Sequence, residues 1–222
     1  RTLDLTKGRT AYVTLIRKLK KWILENPDER HVEIISFNYD SLLEEAMTQT
    51  YGYAWGLKVD SSPLQAYYNG TNLRIYKPHG SITWGRRVKT VEGHKQLYIE
   101  AFDLHSSYDS LKITDEFVNV EPSNLQYGSN IQKHYIPAIA VPFKTKNNFD
   151  ECPTEMLSEM KNAISKADKL ITIGWKGGDN HLVNILKGNS KIKDLHVVSP
   201  SADTELVWWL PIRTHKIGFC NF

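Results

Sequence analysis

The stretch "KLITIGWKGGDNHLVNILKG", residues 169–188, passes from a short β-branched run through a glycine-rich turn into an apolar-periodic segment. That is the signature of a strand, a loop and a helix in immediate succession. Before it, "TEMLSEMKNAISKAD" sets Met156, Leu157, Met160, Ala163, Ile164 and Ala167 at helical spacing, and after it "DLHVVSP" reads as one more strand. The same unit occurs upstream, where "HVEIISF" feeds the helix-like "DSLLEEAMTQ". Parallel strands need a crossover, usually a helix, so strict alternation confines such a chain to an α/β fold built on a parallel sheet with helices on both faces. The first helix is predicted in "AYVTLIRKLKKWI". Its apolar stripe is Tyr12, Leu15, Ile16, Leu19, Trp22 and Ile23, and its opposite face of Arg17, Lys18, Lys20 and Lys21 is read as solvated.

Small polar residues gather where these strands stop. Asn38 and Asp40 follow the first strand, His79 and Gly80 follow "LRIYK", Gly174 to Asp179 follow "KLITI", and Ser199 follows "LHVV". In open parallel sheets, ligands sit beyond the carboxyl ends of the strands, where helix amino ends favour anionic groups. The four ends are therefore expected to define one crevice. The same residues also admit purely structural roles. Asn38 and Asp40 suit a turn and helix cap, His79 a turn histidine, the glycines loop flexibility, and Asp179 the cap of the following helix.

At 222 residues the chain is expected to be a single domain, residues 1–222, with a looser insertion or small subdomain over 85–135 holding one hairpin. Its net charge of +3 and pI near 8.7 are too mild to imply nucleic acid as a ligand of this domain. Two distant cysteines, Cys152 and Cys220, can build neither a disulfide framework nor a four-cysteine zinc site, which suggests a reducing, cytoplasmic setting. His94, Asp103 and His105 have irregular spacing and are read as surface polar residues, so no metal ligand is assigned. The six tryptophans, Trp208 and Trp209 among them, are read as core or interface anchors. No apolar run approaches the roughly 20 residues of a membrane span. Because the chain opens on Arg1 rather than Met, it is read as a piece of a longer protein.

The blocks "FNYDSLLEEA", "KPHGSITW", "AIAVPFKTKN", "ADKLITIGWKGGDNHLVNIL" and "LHVVSP" occur in an order and at separations that resemble the sirtuin-like family. The likeness is greatest to its zinc-free bacterial branch, which hydrolyses NAD in defence against phage. The resemblance covers about residues 32–200. It implies a Rossmann-like fold and NAD as substrate or ligand, with ADP-ribose as a product and a fused or associated sensor domain as a partner; self-association is left open. By the same resemblance Asn38 holds the nicotinamide ribose and an attacking water, Asp40 contacts the carboxamide, and His79 is the base. Gly80, Gly174, Lys176, Asp179 and Ser199 then fall among the cofactor-binding positions. The residue types suit the chemistry: nicotinamide leaves as a neutral molecule, so the protein must supply ribose positioning and a base rather than an acid. An imidazole, with an ordinary pKa of about 6.5, can act as a base at neutral pH.

Three features depart from the family pattern. No Gly-Ala-Gly phosphate loop occurs before Arg9 or elsewhere, so the unit carrying it is expected to lie outside the sequence. Gly174, Trp175 and Lys176 stand where relatives have Gly-aromatic-Ser. The insertion after His79 has no cysteine, which argues against a zinc-dependent deacetylase. A non-catalytic sirtuin-like module that binds a nucleotide or a protein partner is the alternative to an NAD hydrolase.

Overall fold

A computed structural model describes residues 11–52, 64–70, 72–90, 111–119, 134–140, 151–175, 177–199 and 213–218; for 88–90, 111, 134, 199 and 216–218 it describes the backbone alone. Lys176, His94, Asp103, His105, Trp208 and Trp209 lie outside the described residues. The chain divides into two compact units, Arg1–Leu157 and Ser158–Phe222.

In the first unit, helix α1 (Ala11–Glu25) buries Val13, Ile16 and Ile23 and packs on helix α2 (Leu42–Tyr51), which buries Leu43, Glu44, Ala46 and Met47. The stripe predicted for α1 is turned slightly from the buried one. Val13 enters the core, whereas Trp22 stays 42% exposed, with the Arg30 guanidinium 4.8 Å from the centre of its ring. Asn26 and Pro27 end α1, since proline cannot supply the next amide. The Lys20 ammonium donates to Thr50 O at 2.9 Å, placing a cation on a carbonyl in the last turn of α2.

Strands β1 (Val32–Ile35) and β2 (Leu73–Tyr76) pair in parallel with α2 between them, as the alternation requires. Leu73, Ile75 and Tyr76 of β2 are buried. Strand β3 (Gly80–Thr90) then lies between β4 (Leu111–Asn119) and β5 (His134–Ile139) in an antiparallel sheet of order β4-β3-β5. This is one strand more than the hairpin predicted over 85–135, and it starts at Gly80. A register shift between Arg86 and Val88 breaks the pairing with β4, and such bulges blur the period of 2 that marks a strand in sequence.

Helix α3 (Thr154–Lys166) begins in the first unit and continues into the second. There β6 (Lys169–Ile173), β7 (Asp194–Ser199) and β8 (Arg213–Gly218) form a parallel sheet in that order, with helix α4 (Asn180–Lys187) following β6. β8 is not foreseen from sequence, because "RTHKIG" offers no apolar run to mark it. β6 also differs from its reading as a buried strand: Thr172 is buried, but Ile171 and Ile173 are 62% and 56% exposed. Side chains alternate across a sheet, and the face carrying Thr172, Leu195 and Val197 is the one buried. The opposite face is exposed at β6 and half-buried at His196 and Val198 of β7.

Candidate functional site

β1 and β2 stop level with one another. Ile35 is in register with Tyr76, and Ser36 N donates to Tyr76 O at 2.9 Å. The loops that leave these two ends are stitched to the neighbouring strands. Ile82 N donates to Tyr39 O and Ala140 N to His79 O, both at 2.9 Å, while the Tyr39 hydroxyl donates to Ala140 O at 2.5 Å. Glu151 N donates to Pro78 O at 2.8 Å. The His79 ring, half-buried, lies 4.9 Å from the Phe37 ring centre and 6.5 Å from that of Tyr39. Asn38, exposed, lies between Phe37 and Tyr39 in the chain. Asn38, Asp40, His79 and Gly80 are thereby gathered at the carboxyl ends of one parallel strand pair.

Gly80 is dictated by the backbone. Its φ is +82°, a region that costs residues with a Cβ, and a Cβ here would come 2.0 Å from Ala138 O. Gly80 N donates to Lys77 O at 3.0 Å, closing the turn that presents His79. Asp40 is likewise held at both ends: its Oδ1 accepts from Leu42 N at 3.1 Å, an Asx turn into α2, and its carbonyl oxygen accepts from Lys77 Nζ at 2.6 Å. The turn role allowed from sequence is thus realised for Asp40.

Beneath these loops lies a buried polar cluster that sequence reading did not single out. The wholly buried Lys77 ammonium donates to Asp40 O, to Glu44 Oε1 at 2.7 Å and to Ser81 Oγ at 3.1 Å, using its three protons. Ser81 Oγ also reaches Tyr39 O at 3.2 Å. The Tyr67 hydroxyl donates to Glu44 Oε1 at 3.2 Å and accepts from Trp84 Nε1 at 3.1 Å. Burial, reinforced by the Glu44 carboxylate, pushes the Tyr67 phenol well above its ordinary value. The nearest sequence signal was Lys77 itself, a lysine joining an apolar strand directly to Pro78 and His79.

Tyr12 of α1 also reaches this region: its hydroxyl accepts from Asn38 Nδ2 at 3.0 Å. Burial foremost, then the Asp40 carboxylate, raises the phenol above its ordinary value, and the Asn38 bond opposes that rise. At a separation of 26 positions, nothing in the sequence pointed to this pair.

In the second unit Gly174 leaves β6 with φ +69°, and nothing lies within 4 Å of where a Cβ would sit. Gly174 N donates to Val198 O at 2.9 Å, which sets Gly174 beside the carboxyl end of β7, where Ser199 is. Gly177 is also at positive φ, +84°. Asp179 caps α4, its Oδ1 accepting from Leu182 N at 2.9 Å, as the sequence suggested. Gly174, Asp179 and Ser199 therefore lie in this unit, and Asn38, Asp40, His79 and Gly80 in the other.

Residues 32–205 match the family model of the SIR2-like domain, and the chain belongs to that family. No curated protein and no solved structure matches it. SIR2-like domains bind NAD, and the described residues offer features suited to such a ligand. Gly174 at positive φ with open space around it allows close approach of a ligand to the backbone, and Asn38 is exposed in the loop after β1. Among the described residues no group of three His, Cys, Asp or Glu side chains could hold a metal, and no helix is long and apolar enough to cross a membrane.

Proposed function

We propose that the protein is an NAD glycohydrolase, releasing nicotinamide and ADP-ribose, and that it serves bacterial defence against phage together with a fused or associated sensor domain. What supports this reading is that the loops carrying Asn38 and His79 leave the level ends of β1 and β2, with Phe37 packed on the His79 ring, in a chain that belongs to an NAD-binding family. In the reaction, the bond between the ribose C1′ and the nicotinamide nitrogen breaks, and its electron pair neutralises the pyridinium. A water oxygen bonds to C1′ and gives up a proton. Asn38 orients the ribose and that water, Asp40 meets the carboxamide, and His79 takes the proton. Gly174, Lys176, Asp179 and Ser199 serve the remainder of the dinucleotide. The protein acts without zinc.

Titration calorimetry with ADP-ribose on the full-length protein, beside nicotinamide release from NAD followed over time, tests the assignment. Both binding and release are expected. Binding with no release at any enzyme concentration assigns a non-catalytic nucleotide-binding module instead. Undiminished affinity in Gly174→Trp removes the placement of the ligand against β6.

A further inference from the structure

We infer that Tyr12 is a positioning residue for Asn38, tying down one end of its amide so that the carbonyl oxygen is the end offered to a ligand. An exposed asparagine ordinarily samples several rotamers and both orientations of its amide. Here the amide is restrained, because Nδ2 donates to the Tyr12 hydroxyl at 3.0 Å, while the backbone N–H of Asn38 donates to Ser36 Oγ at 3.3 Å and steadies the loop. With Nδ2 engaged, Oδ1 is left to accept from a ribose hydroxyl or a water, which is the orientation a substrate-holding asparagine needs. The phenol is suited to the task. Its oxygen accepts from Asn38 while its own proton remains to donate, and the neighbouring Asp40 carboxylate favours keeping that proton.

The position of Tyr12 is itself secured by packing. Val13, the next residue, and Ile16, one turn on, are 2% and 0% exposed, and Lys20 clasps the last turn of α2. Tyr12 lies before residues 32–205, the span of the family model, so helix α1 completes a site whose other residues fall within that span. The contact stands on geometry alone; its catalytic consequence rests on the NAD-cleaving reading.

Tyr12→Phe in the full-length protein removes the hydroxyl and keeps the ring. In the ¹⁵N-labelled protein, the side-chain amide resonances of Asn38, assigned by their loss in Asn38→Asp, should shift in Tyr12→Phe while the melting temperature holds. Nicotinamide release should show a kcat lower by about threefold to tenfold, the scale of one neutral hydrogen bond, with KM for NAD unchanged. On an Asn38→Ala background the same change should cost nothing further, because the two residues act as one unit. Unmoved Asn38 resonances overturn the inference, and so does full additivity of the two substitutions. If the wild-type protein releases no nicotinamide, it is the NAD-cleaving reading that fails. The amide resonances and the ADP-ribose affinity of Tyr12→Phe then decide the role of Tyr12.

Discussion

The ammonium of Lys77 sits 2.7 Å from Glu44 Oε1, with the lysine side chain wholly buried and the glutamate nearly so. Removing two charges from water is expensive, and it is tolerated only where each finds good partners. Lys77 finds three, and two of them, Asp40 O and Ser81 Oγ, lie in the loop after β1 and at the start of β3. A cation in the core therefore fastens the Asn38–Asp40 loop to the strand that follows His79.

Lys77→Met should destabilise the protein by about 3–5 kcal/mol, because Glu44 is left as a buried and uncompensated charge. Denaturant unfolding monitored by circular dichroism measures the loss. Adding Glu44→Leu should recover much of it, since an apolar pair of similar volume avoids the desolvation cost. A single substitution as stable as wild type would mean that the pair contributes nothing to holding the loops.

Two glycines at positive φ should respond differently to alanine. Gly174→Ala adds a Cβ in open space, so only the backbone region opposes it, at about 1–2 kcal/mol. Gly80→Ala drives a Cβ into Ala138 O as well and should cost distinctly more, about 2–4 kcal/mol. Melting temperatures of the two variants decide the order, and equal losses would contradict the close approach at Gly80.

Alkaline pH should weaken the fold through Tyr67. Burial raises its phenol well above 10.0 in the folded state, so above the unfolded value the unfolded chain has released a proton that the folded chain still holds. The stabilising contribution is complete below pH about 10 and is lost as pH rises through the folded value. Stability measured by denaturant titration at a series of pH values should fall from about pH 10 upward. The fall should be shallower in Tyr67→Phe.

His79→Ala should lower nicotinamide release by about 10²- to 10⁴-fold, the usual contribution of a general base. Asn38→Ala should lower it too, through lost positioning. Both variants should fold, since Asn38 is exposed and His79 stands in a loop. A stable His79→Ala protein with full activity would remove the imidazole from the chemistry.

The parallel pairing was legible because a period of 2 followed by one of 3.6 is a local property of the chain. Asn38, His79, Gly174 and Ser199 could be placed at strand ends by reading where each apolar run stops. The cap formed by Asp179 was legible for the same reason, as it spans only three residues to Leu182. Tyr12 and Glu44 were not: each looks like an ordinary member of its own helix. Lys77, odd as it is between a buried strand and Pro78, gave no hint of its partners, which lie 33 and 37 residues away, as Asn38 lies 26 from Tyr12.

The faces of the second sheet make the same division. Sequence alone determined that Leu170, Ile171, Thr172 and Ile173 form a strand, because β-branched residues suit a pleated backbone whatever surrounds it. That Thr172 is buried while Ile171 and Ile173 face outward was decided by which side of the strand the rest of the chain covers. Element type follows from neighbours along the chain, whereas burial, ion pairing and the joining of Tyr12 to Asn38 depend on distances that come into being only when remote segments pack together.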